Sequence, residues 1–444
     1  MIIVLLLALA AAPQQADAKV REALGTLEKA LASKDDSVGD QFDLQRLLKV
    51  MERSGSIPDG TGDGFQSRGV RRLEENLSTV VSAAGTLNGG WERIEPLSVR
   101  LNATGLEAEA LCRVTIGGKK GRFRFWLCRA GDSWKPYDYE NLDGSYRLAV
   151  IGMQYAPGVW DDEEKNTLRD SVATLQRAQV YLSKGQLTGA RDALGMARRS
   201  DPPAYVRDWV DLVDGLALHA MGNAAGALKA ADRALVRQKD LAIAHRLKAA
   251  CHVSLGESVK AIEAAKEYLR LVGDDPEGWT LVGAALEKMD QPEKALDAYR
   301  KAVDSDPEDA AARWKLARAL RRQRRFDDAH AEIRKALEKN GEDLRLQDER
   351  GRLLAAQGEL EAALAVAEEL IRSKPKAEEF GMDLRVSVLV LAGKRDEALQ
   401  VLRALLEKHP EWAPSAASGD DLEEFRKLPL VQEALIKARA KPQK

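Results

Sequence analysis

Residues 276–309 read PEGWTLVGAALEKMDQPEKALDAYRKAVDSDPED, and the spacing of small residues in this stretch decides the fold. Its central alanine belongs to a series that recurs every 34 to 37 residues, at Ala190, Ala227, Ala261, Ala295, Ala329, Ala363 and Ala398. A second small residue precedes each of the first six by twelve positions, at Ala178, Gly215, Ala249, Gly283, Ala317 and Gly351. Small residues let two helices approach closely, and each helix pair buries its apolar side only against the next pair. The period therefore predicts a stack of paired helices.

The same stretch carries a known pattern at positions 4, 8, 11, 20, 24, 27 and 32 of the unit, namely Trp279, Gly283, Leu286, Ala295, Tyr299, Ala302 and Pro307. On these residues, the C-terminal part of the chain resembles the tetratricopeptide-repeat (TPR) family. The resemblance implies seven repeat units within residues 167–412, at 171–207, 208–241, 242–275, 276–309, 310–343, 344–377 and 378–412. Acidic residues followed by one apolar face predict a further helix over 419–441 that caps the stack.

In this family the first helix of each pair lines a concave groove, which holds a peptide or a partner's helix and has no catalytic pocket. The resemblance therefore implies a binding protein, and positions 2, 5, 9, 12 and 13 of each unit are expected to face the groove. These positions are apolar in the early units and mostly arginine in the middle ones. The candidate groove residues are Trp209, Leu212, Leu216, Trp314, Arg318, Arg321, Arg322, Arg345 and Arg352. The apolar part suits a partner helix or the protein's own N-terminal domain.

The arginine part of the predicted groove suits an acidic partner, because guanidinium groups pair bidentately with carboxylates. An acidic peptide or a C-terminal carboxylate is the functional interpretation, and a solvated basic helix face is the structural alternative. The functional interpretation predicts that changing Arg318 and Arg352 together to glutamate weakens partner binding and leaves the melting temperature almost unchanged. Position 9 contains no asparagine in any unit, so the resemblance does not extend to the family's chaperone-tail clamp.

The first third of the chain follows a different plan, with helices first and strands second. Apolar residues at three- and four-residue spacing predict helices at 20–32, 42–51 and 70–83. Alternation then predicts strands at 97–101, 110–116, 122–128 and 146–151. This order indicates an α+β domain with an antiparallel sheet over residues 19–160. The predicted fold class is thus an α+β N-terminal domain followed by an all-α TPR superhelical solenoid.

Two aromatic segments, FRFWL at 123–127 and SWKPYDY at 133–139, resemble the last strands of the nuclear-transport-factor-like, cystatin-type cone. Some cones of that family are enzymes with an acid in the pocket, and the resemblance would place Asp138 in that role. A surface turn carboxylate is the alternative, because this domain has no histidine to share proton transfer. Two further possibilities stay open: a hydrophobic ligand or enzymatic activity in the cone, near Trp126, Trp134 and Tyr137, and self-association with the cone docked into the chain's own groove.

The N-terminus carries a targeting pattern. Residues 2–12 form an apolar run of 11 residues, too short to cross a hydrocarbon core of about 30 Å comfortably. Ala16 and Ala18 follow it in the pattern of a signal-peptidase site. We therefore interpret residues 1–18 as a cleaved signal peptide, which makes the protein periplasmic or extracellular with no membrane-spanning segment after cleavage. Because no lysine or arginine precedes the run, a retained N-terminal membrane anchor is the alternative.

The cysteines bear on the redox state of an exported protein. Cys112 and Cys128 lie on two predicted strands joined by the turn-rich segment 117–121. A hairpin that pairs about Lys120 places the two cysteines opposite each other and permits a disulfide. That register leaves several apolar residues opposite polar ones. A glycine bulge of the other parity, with two buried free thiols, is therefore equally consistent with the sequence.

Composition argues against several classes of function. The 444 residues include 68 Lys+Arg and 70 Asp+Glu, and a net charge of −2 gives no global attraction to nucleic acid or acidic membranes. The sequence predicts no catalytic residue, no cofactor and no metal. His245 and His252 occupy packing positions of their unit, and the segment 59–64 lacks the glutamate of a calcium loop. We therefore expect an adaptor that binds a protein or peptide partner. The sequence makes no prediction of its oligomeric state.

Overall fold

The computed structural model describes residues 2–33, 36–53, 90–143, 146–151, 162–202, 204–236, 238–373, 377–409 and 422–439. The chain forms two compact bodies, an N-terminal body of residues 1–289 and a C-terminal body of residues 290–444. The predicted fold class is confirmed, since an α+β region precedes a long run of paired helices. The predicted helix 70–83 and the segment 59–64 lie outside the described residues.

The first described elements are a long helix α1 (Ile2–Ser33), a 3₁₀ helix (Asp36–Gln41) and a helix α2 (Leu44–Arg53). On α1, Val20, Leu24 and Leu27 recur every three or four residues and are fully buried. This spacing gives the helix one apolar side, which packs against the sheet. Among the residues described, no helix has both the length and the apolar character that crossing a bilayer requires.

Five antiparallel strands form one sheet in sequence order: β1 (Trp91–Leu101), β2 (Glu107–Ile116), β3 (Lys119–Ala130), β4 (Ser133–Asn141) and β5 (Tyr146–Arg147). The predicted strand at 146–151 is shorter than expected, because a helix α3 (Leu148–Ile151) follows β5 at once. The backbone N–H of Ala149 donates to the Asp138 carboxylate at 3.1 Å. Because this N–H is committed to a side chain, it does not extend the strand ladder.

The β2–β3 hairpin turns through Gly117 and Gly118, which both have a positive φ. This two-residue turn places Cys112 opposite Phe123 and Cys128 opposite Glu107. The two cysteines are therefore offset by about 17 Å along the strands, and both thiols are free and buried. The disulfide interpretation is thus corrected. The tight turn gives the register of opposite parity, which pairs Phe123 and its apolar neighbours with apolar residues of β2.

The sheet has one aromatic face and one charged face, because residues alternate along each strand. Phe123 and Phe125 lie on the aromatic face, where their ring centroids are 5.9 and 5.7 Å from that of Tyr139. Arg124, between them, lies on the charged face and pairs with Glu140 at 2.6 Å. Arg124 is 3% exposed and Glu140 is 1% exposed. The fold therefore encloses a row of charges that simple alternation would assign to solvent.

From residue 162 onward, the described part of the N-terminal body consists of helices that pack in sequence: α4 (Asp162–Ser183), α5 (Leu187–Arg199), α6 (Ala204–Ala220), α7 (Ala224–Ala234), α8 (Ala242–Leu255), α9 (Ser258–Val272) and α10 (Pro276–Lys288). Helices α8 and α10 begin at the first residues of the predicted units 242–275 and 276–309. The first two pairs begin earlier than the predicted units, since α4 starts at Asp162 and α6 at Ala204.

The C-terminal body continues the pattern with α11 (Pro292–Ser305), α12 (Ala310–Arg322), α13 (Phe326–Lys339), α14 (Leu344–Ala356), α15 (Leu360–Ser373), α16 (Glu378–Leu391) and α17 (Arg395–Lys408). Helices α12, α14 and α16 begin at the first residues of the predicted units at 310, 344 and 378. Each therefore corresponds to the first helix of a repeat.

Two short helices, α18 (Glu423–Arg426) and α19 (Pro429–Arg439), stand where one capping helix was predicted over 419–441. The break falls before Pro429, because proline is well suited to the first turn of a new helix and poorly suited to a helix interior. Phe425 and Leu435 share an apolar cluster with Leu402 and Leu405 of α17. The two short helices therefore cover the apolar side of the last repeat.

Close helix approach is clearest at Gly215 on α6. A Cβ atom at this position would lie 2.8 Å from Cδ2 of Leu247, 3.2 Å from Cβ of Ala230 and 3.3 Å from the backbone oxygen of Ala227. The last two atoms belong to the neighbouring α7 and have little freedom to move. Gly215 therefore sets the distance between the helices of this pair.

We predict that Gly215→Ala lowers the free energy of unfolding by about 1–2 kcal/mol, because overpacking outweighs the gain in helix propensity. Gly195→Ala, in the middle of α5, is the matched control. Its added Cβ would meet only the end of the flexible Arg199 side chain, at 3.6 Å. The control is expected to raise the free energy of unfolding by about 0.5–1 kcal/mol. Denaturant titration followed by circular dichroism measures both, and equal effects would contradict the packing argument.

Candidate functional site

The apolar residues predicted to line the early groove lie inside the helix stack. Trp209 and Leu212 are fully buried on α6, and Leu216 is partly exposed. Helix α6 packs against α4, α5, α7 and α8, so neighbouring helices cover these positions. Trp209 and Leu212 are therefore core residues, which corrects this part of the groove prediction.

Two of the predicted groove arginines are buried between successive first helices. Nε of Arg321 on α12 donates to Glu349 on α14 at 2.6 Å. Arg352 on α14 donates to Asp383 and to Ser387 on α16, each at 2.7 Å. Arg321 and Arg352 are 5% and 7% exposed. Their charges are matched within the protein, so they tie one repeat to the next and do not face a partner.

These buried arginines remain charged. Burial lowers the pKa of Arg352, but the carboxylates of Asp348 and Asp383 outweigh this effect and hold the pKa above its usual range. Burial also raises the pKa of Glu349, and Arg321 opposes that shift. An acidic residue in place of Arg352 would meet two carboxylates. The expectation that Arg352→Glu leaves the melting temperature unchanged is therefore corrected.

A basic and aromatic surface on α12 stays partly exposed. The side chain of Trp314 packs on an apolar cluster that includes Ile333, and it is only half-buried. Nζ of Lys315 lies 4.5 Å from the ring centroid of Trp314, and Cζ of Arg318 lies 5.9 Å from it. Both distances are within the range of cation–π contacts. Arg322 is exposed one turn further along the helix. We call these residues, Trp314, Lys315, Arg318 and Arg322, the α12 face.

Arg345 is the last of the predicted groove arginines. It is exposed in the first turn of α14, where it pairs with the helix-capping Asp343 at 2.9 Å. An exposed pair of this kind contributes little to stability. The structure thus places Trp314, Arg318 and Arg322 on one side of α12, whereas Arg321, Arg345 and Arg352 pair with carboxylates of the protein.

In the N-terminal body, the charged face of the sheet meets the end of α9. Arg100 donates to the backbone oxygens of Arg270 and Leu271 at 2.8 and 2.6 Å, and Arg124 donates to that of Leu271 at 3.0 Å. These carbonyls belong to the last turn of α9, where they have no partner within the helix. Guanidinium groups satisfy them and interact favourably with the negative end of the helix dipole. We call these contacts, together with a charge cluster formed by Arg122, Asp143, Arg246, Asp275 and Glu277, the sheet–repeat junction.

The charge cluster of the junction contains Arg122, Asp143, Arg246, Asp275 and Glu277. Arg122, on β3, contacts Asp275 at 3.1 Å, Glu277 at 2.5 Å and also Asp143. Arg246, on α8, contacts Glu277 at 2.5 Å. Burial raises the pKa of Glu277, but the guanidinium groups of Arg246 and Arg122 outweigh it and lower the pKa to about 2. The Glu277 carboxylate is therefore ionised at neutral pH and shared between two arginines.

A cavity of about 480 Å³ lies beside these contacts. Its lining includes Arg100, Trp126 and Tyr137 from the N-terminal domain and Asp240 and Leu271 from the repeats. The two surfaces thus meet through charged side chains around an open space.

The aromatic residues suggested for a hydrophobic ligand are buried, and Trp126 and Tyr137 contribute only a small exposed area to the cavity lining. The guanidinium carbons of Arg124 and Arg147 each lie 4.3 Å from the ring centroid of Trp126, and Trp134 is buried. Arg147 also contacts Asp138, which is fully buried, at 2.6 Å. Asp138 is therefore a buried ion-pair partner on β4. Both the surface-turn interpretation and the role of an open pocket acid are corrected.

Histidines and cysteines make local contacts. Nδ1 of His252 lies 2.6 Å from Glu257, and Nε2 of His245 lies 2.9 Å from the backbone oxygen of Lys239. Burial raises the pKa of Cys128 to about 12, which keeps it a thiol at neutral pH. Within the part of the chain that the structure describes, no three His, Cys, Asp or Glu residues are grouped to hold a metal ion.

The sequence prediction missed the junction residues. Arg122 and Arg124 alternate with Phe123 and Phe125, a pattern typical of a sheet with one solvated face. The one available signal was that two arginines fall on the same side of a predicted strand. Arg124 donates to a backbone oxygen at the end of α9, which carries no sequence signature, and Arg122 pairs with Asp275 and Glu277, more than 150 residues away along the chain.

We predict that Arg352→Ala lowers the free energy of unfolding by about 3–5 kcal/mol, because it removes the guanidinium group that offsets the buried charges of Asp348 and Asp383. Arg345→Ala, on the same helix, is the matched control and is expected to cost about 1 kcal/mol or less. Denaturant titration of both variants measures the difference. Similar small losses would show that the buried ion pairs do not hold the repeats together.

Comparison with known proteins identifies the repeats. The tetratricopeptide-repeat family model matches residues 212–276, 283–329 and 315–378. Among curated proteins, none matches the sequence. The resemblance of the N-terminal domain to the cystatin-type cone stays a prediction.

Several solved structures are similar to this chain. A tetratricopeptide repeat protein from Parabacteroides merdae ATCC 43184 is 17% identical, with a TM-score of 0.45 over 61% of this chain and 99% of its own. TTC0263, a thermophilic TPR protein of Thermus thermophilus, is 22% identical, with a TM-score of 0.37 over 42% of this chain and 98% of its own. YrrB, a TPR protein with an unusual peptide-binding site, is 20% identical, with a TM-score of 0.30 over 40% of this chain and 90% of its own.

The family match begins and ends within the run of paired helices, and the first helices of the pairs from α8 to α16 start at the positions that the repeat pattern assigns to them. The prediction of tetratricopeptide repeats is confirmed. Residues 212–276 and 283–378 form tetratricopeptide repeats.

Proposed function

We propose that the protein is a non-enzymatic scaffold that binds a protein or peptide partner on the first helices of its repeats. Repeat proteins of this kind present extended surfaces suited to peptides and partner helices. The observation that carries the proposal is the α12 face. There the indole of Trp314 is anchored in the helix core while Lys315 and Arg318 flank its ring. A rigid aromatic surface edged with cations offers a ligand both contact area and charge.

The proposed partner segment is acidic. Arg318 and Arg322 lie one turn apart on the same side of α12, so two guanidinium groups can meet carboxylates on one ligand. The buried pairs of Arg321 and Arg352 fix α12, α14 and α16 against each other. This support holds the α12 face in one geometry before a partner arrives, which reduces the entropic cost of binding.

We predict that Arg318→Glu with Arg322→Glu weakens binding of acidic peptides about tenfold or more, because two charge-assisted contacts are lost and replaced by repulsion. The probe is an array of synthetic peptides of equal length whose net charge runs from acidic to basic. The unmodified full chain is expected to bind the acidic members most tightly.

Lys294→Glu with Arg334→Glu is the matched control. It reverses the same number of charges at exposed positions on the second helices α11 and α13. The control is expected to bind acidic peptides with nearly unchanged affinity. An equal loss of affinity in both double variants would show that the effect comes from the net charge of the protein alone. Unchanged affinity in the α12 variant, or no preference of the full chain for acidic peptides, would rule out the α12 face as the partner site.

We also propose that the protein is exported and that residues 1–18 are removed. The apolar run at 2–12 and the small residues Ala16 and Ala18 support this proposal. The packing of α1 is compatible with it, because the first buried side chain described on this helix is Val20. Lys19, which donates to the backbone oxygen of Asp132 at 3.0 Å, would be retained.

We predict that the protein purified from its native host begins at Lys19, since cleavage after Ala18 spares every buried contact described on α1. Intact-mass spectrometry with N-terminal sequencing measures this, and the fraction of protein in membranes serves as the control. A retained Met1 together with recovery in the membrane fraction would favour the N-terminal anchor instead.

A further inference from the structure

Two repeat positions of the kind expected to face the groove contact the N-terminal domain of the same chain. Arg246 occupies position 5 of the unit 242–275, and Glu277 occupies position 2 of the unit 276–309. Arg122 of the sheet contacts Glu277 at 2.5 Å, and Asp143, just after β4, lies 3.8 Å from Arg246. The N-terminal domain therefore covers part of the surface that a tetratricopeptide repeat would present to a partner.

The contact that holds the domain there is built from long charged side chains. Arg100 and Arg124 reach the last carbonyls of α9, and Arg122 reaches the carboxylates at the start of α10. The cavity of about 480 Å³ lies between the same surfaces. Polar contacts between domains of one chain resemble transient protein interfaces, for which relative motion is the ordinary expectation.

At the junction, the cost of removing water from charged groups offsets much of the attraction between them, which favours a reversible contact over a permanent one. Forming it removes water from the Arg122 guanidinium, which is 13% exposed, and from the Asp275 carboxylate, which is fully buried. This desolvation cost offsets much of the attraction between the ionised groups. Asp143 and Glu277 remain about 40% exposed, so dissolved salt can weaken their share of the attraction.

We propose that the sheet–repeat junction is a releasable latch. In its closed state the N-terminal domain covers the groove positions Arg246 and Glu277, and loss of the Arg122 contacts opens it and uncovers them. The latch acts on a different part of the repeats from the α12 face. Experiments can therefore support or reject the latch independently of the proposed partner site.

Zero-length cross-linking of the full chain tests the closed state. Arg122→Lys keeps the positive charge and supplies an amine, which a carbodiimide joins to a touching carboxylate as an amide with loss of water. Mass spectrometry is expected to find Lys at position 122 joined to Glu277 or Asp275. The native pair of Lys248 and Asp232, 2.7 Å apart within the repeats, is the internal reference.

Salt then tests release. Raising sodium chloride from about 0.05 M to about 1 M is expected to lower the junction cross-link about threefold relative to the reference pair. A constant ratio would show a permanent interface and overturn the latch. The lack of any junction cross-link at low salt would overturn the closed state itself.

Charge reversal provides the second measurement. Arg122→Glu places a fourth carboxylate in the cluster, and amide hydrogen exchange across residues 270–279 is expected to rise about tenfold. Arg129→Glu, on the same strand at a position 49% exposed, is the matched control and is expected to leave exchange unchanged. Exchange across residues 270–279 that is no faster in Arg122→Glu than in the Arg129→Glu control would overturn the latch.

Discussion

Close contact between consecutive helices through small side chains is the constraint on which the repeats depend. Gly215 shows it directly, because the space for a Cβ atom is already filled by Leu247 and by α7. Helices packed this closely are covered on both sides by their neighbours. Positions that face a groove in an isolated unit can therefore become interior, which explains why Trp209 and Leu212 are core residues.

The same closeness determines where the arginines of the C-terminal body go. Arg321 and Arg352 lie where one first helix meets the next, and each finds a carboxylate on the following repeat, at Glu349 and Asp383. A buried ion pair gives little net stability relative to apolar packing, but one member left alone is costly. Such pairs therefore penalise any other alignment of the repeats. Their main contribution is to the specificity of the stack.

The sequence predicted the helices and strands, which follow from regular spacing along the chain. It missed the contacts that depend on which residues become neighbours in the fold. The recurrence of small residues was enough to place the first helices of the repeats from α8 to α16, and alternation was enough to place most of the sheet. The sequence could not decide whether Cys112 and Cys128 lie opposite each other, because a two-residue turn and a longer turn differ only in the strand register that they give. Arg122 and Arg352 could not be assigned, because a charged side chain on a regular face has the same pattern whether water or another helix covers it.

The two sets of buried arginines differ in the exposure of their partners, and this difference bears on what each can do. Around Arg352 the carboxylates of Asp348 and Asp383 are 14% and 8% exposed, so water and salt have little access and the tie is durable. Around Arg122 the carboxylate of Asp275 is fully buried, but those of Asp143 and Glu277 are 39% and 40% exposed, so solvent competes for these two. A guanidinium group shared among carboxylates thus forms a lasting contact where the protein shields it from solvent. Where it borders solvent, the same physics makes it suited to opening and closing.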